Sequence, residues 1–320
     1  MISETILQPK RLLGHLSNFV YREKEDLFAV GQQTRTETRQ IEGRDVVHFI
    51  NEFWTSKQRQ SSSIHEISYR ACFKAQLPRF FIELLTRPRD RVYDPFNGRG
   101  TTIVEAGLLG RSVVGNDINP LSRVLTLPRF SVPDISDVEE RLKAIPFVES
   151  IESDIDLSMF FHPETLMEIL SLRKYLYERQ QDRRENDVDR WIRMVATNRL
   201  TGHSKGFFSV YSLPPNQAIS AEKQRKINEQ RKQKPDYRDT RSLITRKTKS
   251  LLSTLTDQQK QYLRQAGKTV RFLTEDARHT STIPSESIQL TVTSPPFLDV
   301  VQYAQDNWLR VGSIISVQMR

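Results

Sequence analysis

RVYDPFNGRGTTIVEAGLLGRSVVGND, residues 91 to 117, is the stretch that decides the fold. It opens on a short strand, Arg91 to Phe96, and breaks at a tight turn, Asn97-Gly98-Arg99-Gly100. Residues Thr101 to Leu109 then carry a helical pattern closed by Gly110, and Ser112 to Gly115 read as a second strand running into Asn116-Asp117. Strand, turn, helix, strand at this spacing is a βαβ unit and predicts a parallel sheet. Gly98 and Gly100 accept positive φ and let a ligand approach the backbone. The helix that follows offers unpaired N–H groups and a partial positive charge to an anion. Asp117 lies 23 residues beyond Asp94 (117 − 94), at the tip of the next strand, where a carboxylate can accept from both hydroxyls of a ribose. A nucleoside with an anionic tail suits this pair.

Working outward, the helical spacing of Phe73, Leu77, Phe80, Phe81, Leu84 and Leu85 predicts a helix just before the first strand, with Pro78 near its start. Residues 120 to 267 read as mostly helical and polar, with a strand-like stretch at Phe207 to Ser212. Strand signals return at Thr269 to Thr274 and Ile288 to Thr293. Residues 1 to 66 are weakly periodic and end in a polar stretch. The expectation is an α/β, Rossmann-like sheet of about four parallel strands, at 92–96, 112–115, 269–274 and 288–293, interrupted by a large helical insertion. Its parts are an extension at 1–66, a cofactor-binding half at 67–130, an insertion at 131–267 and a catalytic half at 268–320.

Composition narrows the class. The 320 residues are 37% hydrophobic and 27% charged, with a formal charge of +9 and a single cysteine, Cys72. One cysteine excludes an internal disulfide and a thiolate zinc cluster. No apolar run approaches the length of a membrane span, and the amino-terminal residues lack a secretory core, so a cytoplasmic protein is expected. Between Glu222 and Ser250, eleven Lys or Arg face four acids, +7 in 29 residues. That run is either a solvated surface or a track for a polyanion.

The phosphate-binding alternatives fail on their own spacing. Gly98-Arg99-Gly100-Thr101-Thr102-Ile103 lacks the third glycine of a nicotinamide fingerprint, and no Gly-Lys-Ser/Thr is present for a nucleotide phosphate loop. S-adenosylmethionine fits better, its carboxylate at the helix terminus and its ribose at Asp117.

Asp94-Pro95-Phe96-x-Gly98-x-Gly100-Thr101-Thr102 resembles the cofactor motif of the DNA amino-methyltransferases, which modify exocyclic nitrogens. Asn116-Asp117-Ile118-Asn119-Pro120 looks like their second motif. Phe272 to Arg278 is similar to the third, with Asp276 at the acid that meets the adenine amino group. Phe73 to Pro78 is similar to the tenth, with Lys74 where many members have proline. The resemblance covers 65 to 130 and 268 to 310. It implies S-adenosylmethionine as cofactor, held by Phe73, Asp94, Phe96, Gly98, Gly100, Thr101, Asp117 and Asp276. It also implies double-stranded DNA with a flipped target base as substrate, and a cognate restriction endonuclease acting on the same site.

Ser294-Pro295-Pro296-Phe297 ends the fourth strand. Two prolines give up two backbone donors, so the ladder stops there. The corner instead presents acceptors, the Ser294 hydroxyl and the Pro295 carbonyl, that can grip the hydrogens of a base amine while Phe297 stacks on the base. Leu213-Pro214-Pro215-Asn216 lacks both the hydroxyl and the ring. Within the family, Ser at the first position resembles the cytosine-N4 group, with adenine N6 or RNA as alternatives and a silent nucleic-acid-binding remnant as another. Cys72 precedes the cofactor motif and follows no proline, which sets aside C5 chemistry. Asn198, Arg199, His203, Lys205 and Asn216 are candidates to read bases from the insertion. Only 23 residues follow Phe297, with a helix expected at Leu298 to Leu309. Strands five to seven of a full seven-stranded sheet are not found, so a truncated chain with weak cofactor binding and poor turnover is expected.

Overall fold

The computed structural model describes residues 9–21, 32–51, 61–69, 72–148, 155–213, 219–296 and 309. The chain begins with α1 (Pro9–Ser17) and a short antiparallel pair, β1 (Val20–Tyr21) and β2 (Gln32–Gln33). A longer hairpin follows, β3 (Arg35–Ile41) and β4 (Arg44–Ile50), in register from Arg35↔Ile50 to Ile41↔Arg44. Its two-residue loop, Glu42-Gly43, has positive φ at both positions, the geometry that matches strand twist in a tight hairpin. Sequence periodicity gave no sign of this hairpin, because both of its faces carry charged or polar side chains.

The central sheet is built as the glycine-turn region predicts. Its strands are β5 (Arg91–Asp94), β6 (Ser112–Asn116), β7 (Arg271–Leu273) and β8 (Leu290–Thr291), all parallel, in the order β7-β6-β5-β8. β5, β7 and β8 are shorter than their expected ranges, while β6 runs one residue past its own. β5 and β6 are joined by α3 (Thr101–Leu108), and α2 (Gln76–Leu85) precedes β5. The chain winds from β5 to β6 to β7 in one direction, then returns to pair β8 on the other side of β5. That reversal leaves a gap at the carboxyl ends of β5 and β8, the place where open α/β sheets bind ligands.

Residues 120 to 267 form seven helices among the described residues: α4 (Pro120–Thr126), α5 (Ile135–Ala144), α6 (Pro163–Gln181), α7 (Asp187–Arg199), α8 (Ala221–Arg231), α9 (Thr240–Leu252) and α10 (Asp257–Gly267). They share one core with the sheet. Ile103 and Val92 sit in it with Trp191, Leu243 and Leu263, all nearly inaccessible. The indole N–H of Trp191 donates to Thr248 Oγ1 at 3.1 Å, so its burial leaves no polar atom unpaired. α7 starts on a reciprocal cap between Asn186 and Asp189, and the buried Asp189 carboxylate is also held by Arg141 and Arg179.

Phe207 to Ser212, expected as a strand, is a packed loop with a single bridge, Gly202 to Tyr211. Its backbone is satisfied piecemeal: Phe208 N–H donates to the Arg199 carbonyl, Ser209 N–H to Leu200 and Val210 N–H to Phe160. Alternating apolar residues there reflect burial without a ladder. Pro214, Pro215 and Asn216 lie outside the described residues, as does most of the helix expected at 298–309. No described helix is long and apolar enough to cross a membrane.

Close packing between α3 and the sheet depends on Gly115 in β6. A Cβ there would stand 2.8 Å from the end of Ile103 and 3.1 Å from the Phe272 ring. Gly115→Val is expected to destabilise the fold by about 1–3 kcal/mol through overpacking. Urea unfolding checks it, and an unchanged midpoint would contradict this account of the layer.

Candidate active site

A crevice of about 620 Å³ opens at the carboxyl ends of β5, β6, β7 and β8. Phe73, Phe96, Gly98, Thr101, Asp117, Asp276, Ser294, Pro295 and Pro296 line it, so the sheet gathers residues separated by more than 200 positions. Asp94 lies buried beneath, and Gly100 caps the helix behind the lining. Phe297 lies outside the described residues.

The glycine turn is held from several sides. Gly98 has φ +52° and Gly100 φ +81°, and Gly100 serves as N-cap of α3. No side chain caps that helix, so its first N–H groups have no partner of that kind at the crevice. The Gly98 N–H donates to Asp117 Oδ2 at 2.6 Å, while the Asn119 N–H donates to Asp117 Oδ1 at 2.9 Å. The acid of the second strand thus sets the shape of the turn after the first. Each carboxylate oxygen still has a lone pair to offer. Burial raises the Asp117 pKa, and the Asn119 and Gly98 N–H groups oppose that rise.

Asn116 joins three strand ends. Its side-chain N–H donates to the carbonyls of Pro95 at 3.3 Å and Glu275 at 3.0 Å, and its oxygen accepts from the Glu275 N–H at 3.0 Å. Asn97, buried under the turn, donates to Ser122 Oγ and Thr126 Oγ1, both at 2.9 Å. Neither asparagine stands out by composition, but both fall inside the quoted motif.

Two guanidinium groups flank the turn without a carboxylate partner among the described residues. Arg99 lines the crevice and donates to the Ile67 carbonyl at 2.9 Å and to Thr101 Oγ1 at 3.1 Å. Arg129 is fully buried and donates to the carbonyls of Leu125, Ile64 and Arg99. Burial, then Arg99, lowers the Arg129 pKa to about 9, which leaves it charged at neutral pH. The field at the α3 terminus is therefore positive and favours an anion.

The remaining walls are apolar. Phe96 is 39% exposed and Ile118 74%, beside Tyr69, Phe73 and Pro95. Ile118 follows the acid directly in the quoted motif, yet only the structure shows it standing free over the crevice. At the far rim, both Asp276 oxygens accept from Arg278, at 2.6 to 3.1 Å, and this pair holds the Asp276 carboxyl well below its usual range.

Two hydrogen bonds connect the glycine turn with the proline corner. Thr293 Oγ1 donates to Asp94 Oδ1 at 2.6 Å, and Thr102 Oγ1 donates to the Val292 carbonyl at 3.0 Å. They hold the backbone just ahead of Ser294 beside the start of α3.

The segments at 198–205 divide. Asn198 and Arg199 are buried, with Arg199 donating to Asn198 Oδ1 at 2.6 Å and lying 4.1 Å over the Phe207 ring. They are spent on packing and do not face solvent, contrary to the expectation that they reach bases. His203 and Lys205 are exposed.

A family model described as DNA methylase, of the N6/N4 methyltransferase type, matches residues 17–122, which include the glycine turn and Asp117. Over that stretch the chain is similar to the DNA amino-methyltransferases. Over 61 residues it is 43% identical to a Type II methyltransferase, M.MvaI, of Kocuria varians. That alignment takes in 18% of this chain and 13% of the relative's length. The family match reaches farther toward the amino terminus than the quoted motifs do, and it stops before Asp276 and Ser294. Methyltransferases of this family use S-adenosylmethionine. The crevice of this chain suits such a molecule in its donor set: a helix terminus for a carboxylate, an acid for hydroxyls and apolar walls for a ring.

Two predictions follow from the turn. Gly100→Ala places a Cβ in the left-handed region and 2.6 Å from Thr126, so it should cost about 2–5 kcal/mol of stability by chemical denaturation. Asp94 supplies the second. Burial pushes its carboxyl from 3.8 up to about 6, against the hydrogen bonds from Thr293 and Phe96. The folded state then holds a proton that the unfolded state has lost. Its stabilising share is complete below about pH 4 and disappears as pH rises through about 6, a change of about 3 kcal/mol. Asp94→Asn should therefore gain stability relative to the native chain between pH 4 and 7, as read from paired urea melts. A constant difference across that window would contradict the assignment.

Proposed function

We propose that this chain transfers a methyl group from S-adenosylmethionine to the exocyclic N4 of cytosine in double-stranded DNA, as the modification activity of a restriction-modification system. The observation that supports it is the convergence of Gly98, Asp117 and Ser294–Pro296 on one crevice at the switch point of the sheet. S-adenosylmethionine, when bound, supplies an electrophilic methyl group carried on a sulfonium. In this reading the α3 terminus and Arg99 hold its carboxylate, Asp117 accepts from its ribose, and Ile118 and Phe96 cover its adenine. Asp276 accepts from the adenine amine while remaining paired to Arg278.

An exocyclic amine is a poor nucleophile because its lone pair is delocalised into the ring. Ser294 Oγ and the Pro295 carbonyl would accept its two hydrogens and turn that lone pair toward the methyl donor. Pro295 and Pro296 fix those acceptors in advance, so little reorganisation remains at the moment of transfer. Alignment of the two reactants supplies much of the rest. Phe297 is assigned to stack on the base after it leaves the duplex. Ser294, in place of an acid or amide, favours cytosine N4 over adenine N6.

Tritium transfer from labelled cofactor to duplex DNA tests the reading. Label transfer by the native chain is expected to be slow, and its product should be N4-methylcytosine by mass spectrometry of the nucleosides. Ser294→Ala should lose about 100-fold or more in transfer while retaining cofactor binding. Asp117→Ala should lose cofactor affinity about 10- to 100-fold by calorimetry. N6-methyladenine as product would overturn the cytosine assignment. Transfer unaffected by Ser294→Ala would overturn the role of the corner, and DNA binding with no transfer by the native chain would point to a silent binder.

A further inference from the structure

The basic run at 222–250 resolves into unlike parts once it is folded. α8 packs Ala221 and Ile227 against the core and buries Gln224, and its cations are dispersed over the remaining, exposed face. α9 is different. Leu243, Ile244, Thr248 and Leu251 are buried, while Ser242, Arg246 and Lys249 stand outward on the opposite stripe. Beside that stripe runs a groove of about 470 Å³ between α5 and α9, lined by Lys143, Arg241, Arg246 and Lys249. Ser242 and Arg246 also line a second hollow of about 290 Å³, which adds Lys205 and Arg238. Two hollows that share a wall make one channel with six cations along it.

The acids in the channel are already engaged. Glu139 pairs with Lys249 at 2.9 Å, and Asp236 pairs with Arg238 at 2.8 Å. Asp239 caps α9, accepting from the Ser242 N–H at 3.0 Å and its hydroxyl at 2.7 Å. Arg241 donates to the Ile145 carbonyl at 2.7 Å and makes no ion pair among the described residues. Lys143, Lys205 and Arg246 are exposed and make no ion pair among the described residues. The net charge of the lining is therefore positive, and an extended anion can complete it.

The channel is tied to the crevice. On its inner side, α9 donates from Lys247 Nζ to Glu66 at 3.0 Å and from Ser250 Oγ to the same carboxylate at 3.2 Å. Tyr69, three residues on from Glu66, is a wall of the crevice. An occupant of the channel lies on the helix that holds Glu66, three residues from that wall.

We infer that the α5–α9 channel carries the phosphodiester backbone of duplex DNA outside the target base, with Lys143, Arg246 and Lys205 as its phosphate contacts. The inference rests on the proposed function for the identity of the polyanion. From Arg241 to Lys249 the stripe is about 12 Å long, over which B-form DNA presents about seven phosphates on its two strands. Point charges on a helix face position a duplex without reading its sequence.

The salt dependence of binding tests this on the full chain. Affinity for a short fluorescent duplex of mixed sequence is measured by anisotropy across a potassium chloride series. Lys143→Gln with Arg246→Gln should lower the slope of log K against log salt by about 2, one for each lost contact. Lys174→Gln with Lys223→Gln removes equal charge from α6 and α8 and should leave the slope as in the native chain. An unchanged slope in the first pair, or an equal drop in the second, overturns the inference, as does a native chain that does not bind the duplex. Should the first double variant fail to fold, each single variant is expected to lower the slope by about 1 and is read in the same way. Binding with the expected slope but no methyl transfer defeats the enzymatic reading and leaves the channel standing. Methyl transfer with the slope unaltered does the reverse.

Discussion

The return of β8 to the side of β5 is the constraint on which the rest of this molecule depends. Nearly two hundred residues separate the two strands, and their ladder is only two registered pairs, Val92↔Leu290 and Tyr93↔Thr291. Closing so long a loop is entropically unfavourable, and a two-pair ladder offers little in return. The contact is secured by side chains that reach across it. Thr293 donates to the buried Asp94, and Thr102 donates back to the Val292 carbonyl. Because both bonds lie at the carboxyl ends of the strands, the fastening of the sheet and the assembly of the crevice are one event. Loosening that fastening would separate the proline corner from the glycine turn even if each half kept its local shape.

A second organising element is the set of buried charges around α3. Arg129 draws the carbonyls of Ile64 and Arg99 to that of Leu125 one turn before it, so two distant segments meet on a single guanidinium. On the opposite flank, His65 and Arg79 both bind the buried carboxylate of Glu105, at 2.6 and 2.8 Å. Burial keeps His65 below its ordinary pKa despite that partner, so the ring is neutral at pH 7, with Nε2–H donating to Glu105 and Nδ1 buried without a partner among the described residues. Together these groups bind the segment at 63–67 to the helix that caps the glycine turn. A buried cation with only carbonyl partners makes sense beside a site that attracts an anion.

What the sequence made legible was local. Asp94 to Asp117 holds its strand, turn, helix and acid within one contiguous run, so periodicity and turn chemistry suffice there. Ser294 to Pro296 could be picked out because a hydroxyl before two prolines has a mechanical consequence whatever surrounds it. Other features depend on neighbours far away in the chain. The hairpin at 35–50 alternates charge with apolar residues on both faces, so no buried face betrays it. Arg199 reads as a surface cation, but its guanidinium lies on the Phe207 ring, and nothing in the flanking residues distinguishes the two fates. Asn116 looks like a polar residue at a strand end until its amide is found bonded to two other backbone segments, at Pro95 and Glu275.

Asp94 is protonated over part of the physiological range because water cannot reach it. An anion settling above the glycine turn would favour its neutral form and draw a proton in from solution. Ligand uptake near pH 6 would then be coupled to proton uptake, and the heat recorded in a calorimeter would vary with the ionisation enthalpy of the buffer chosen.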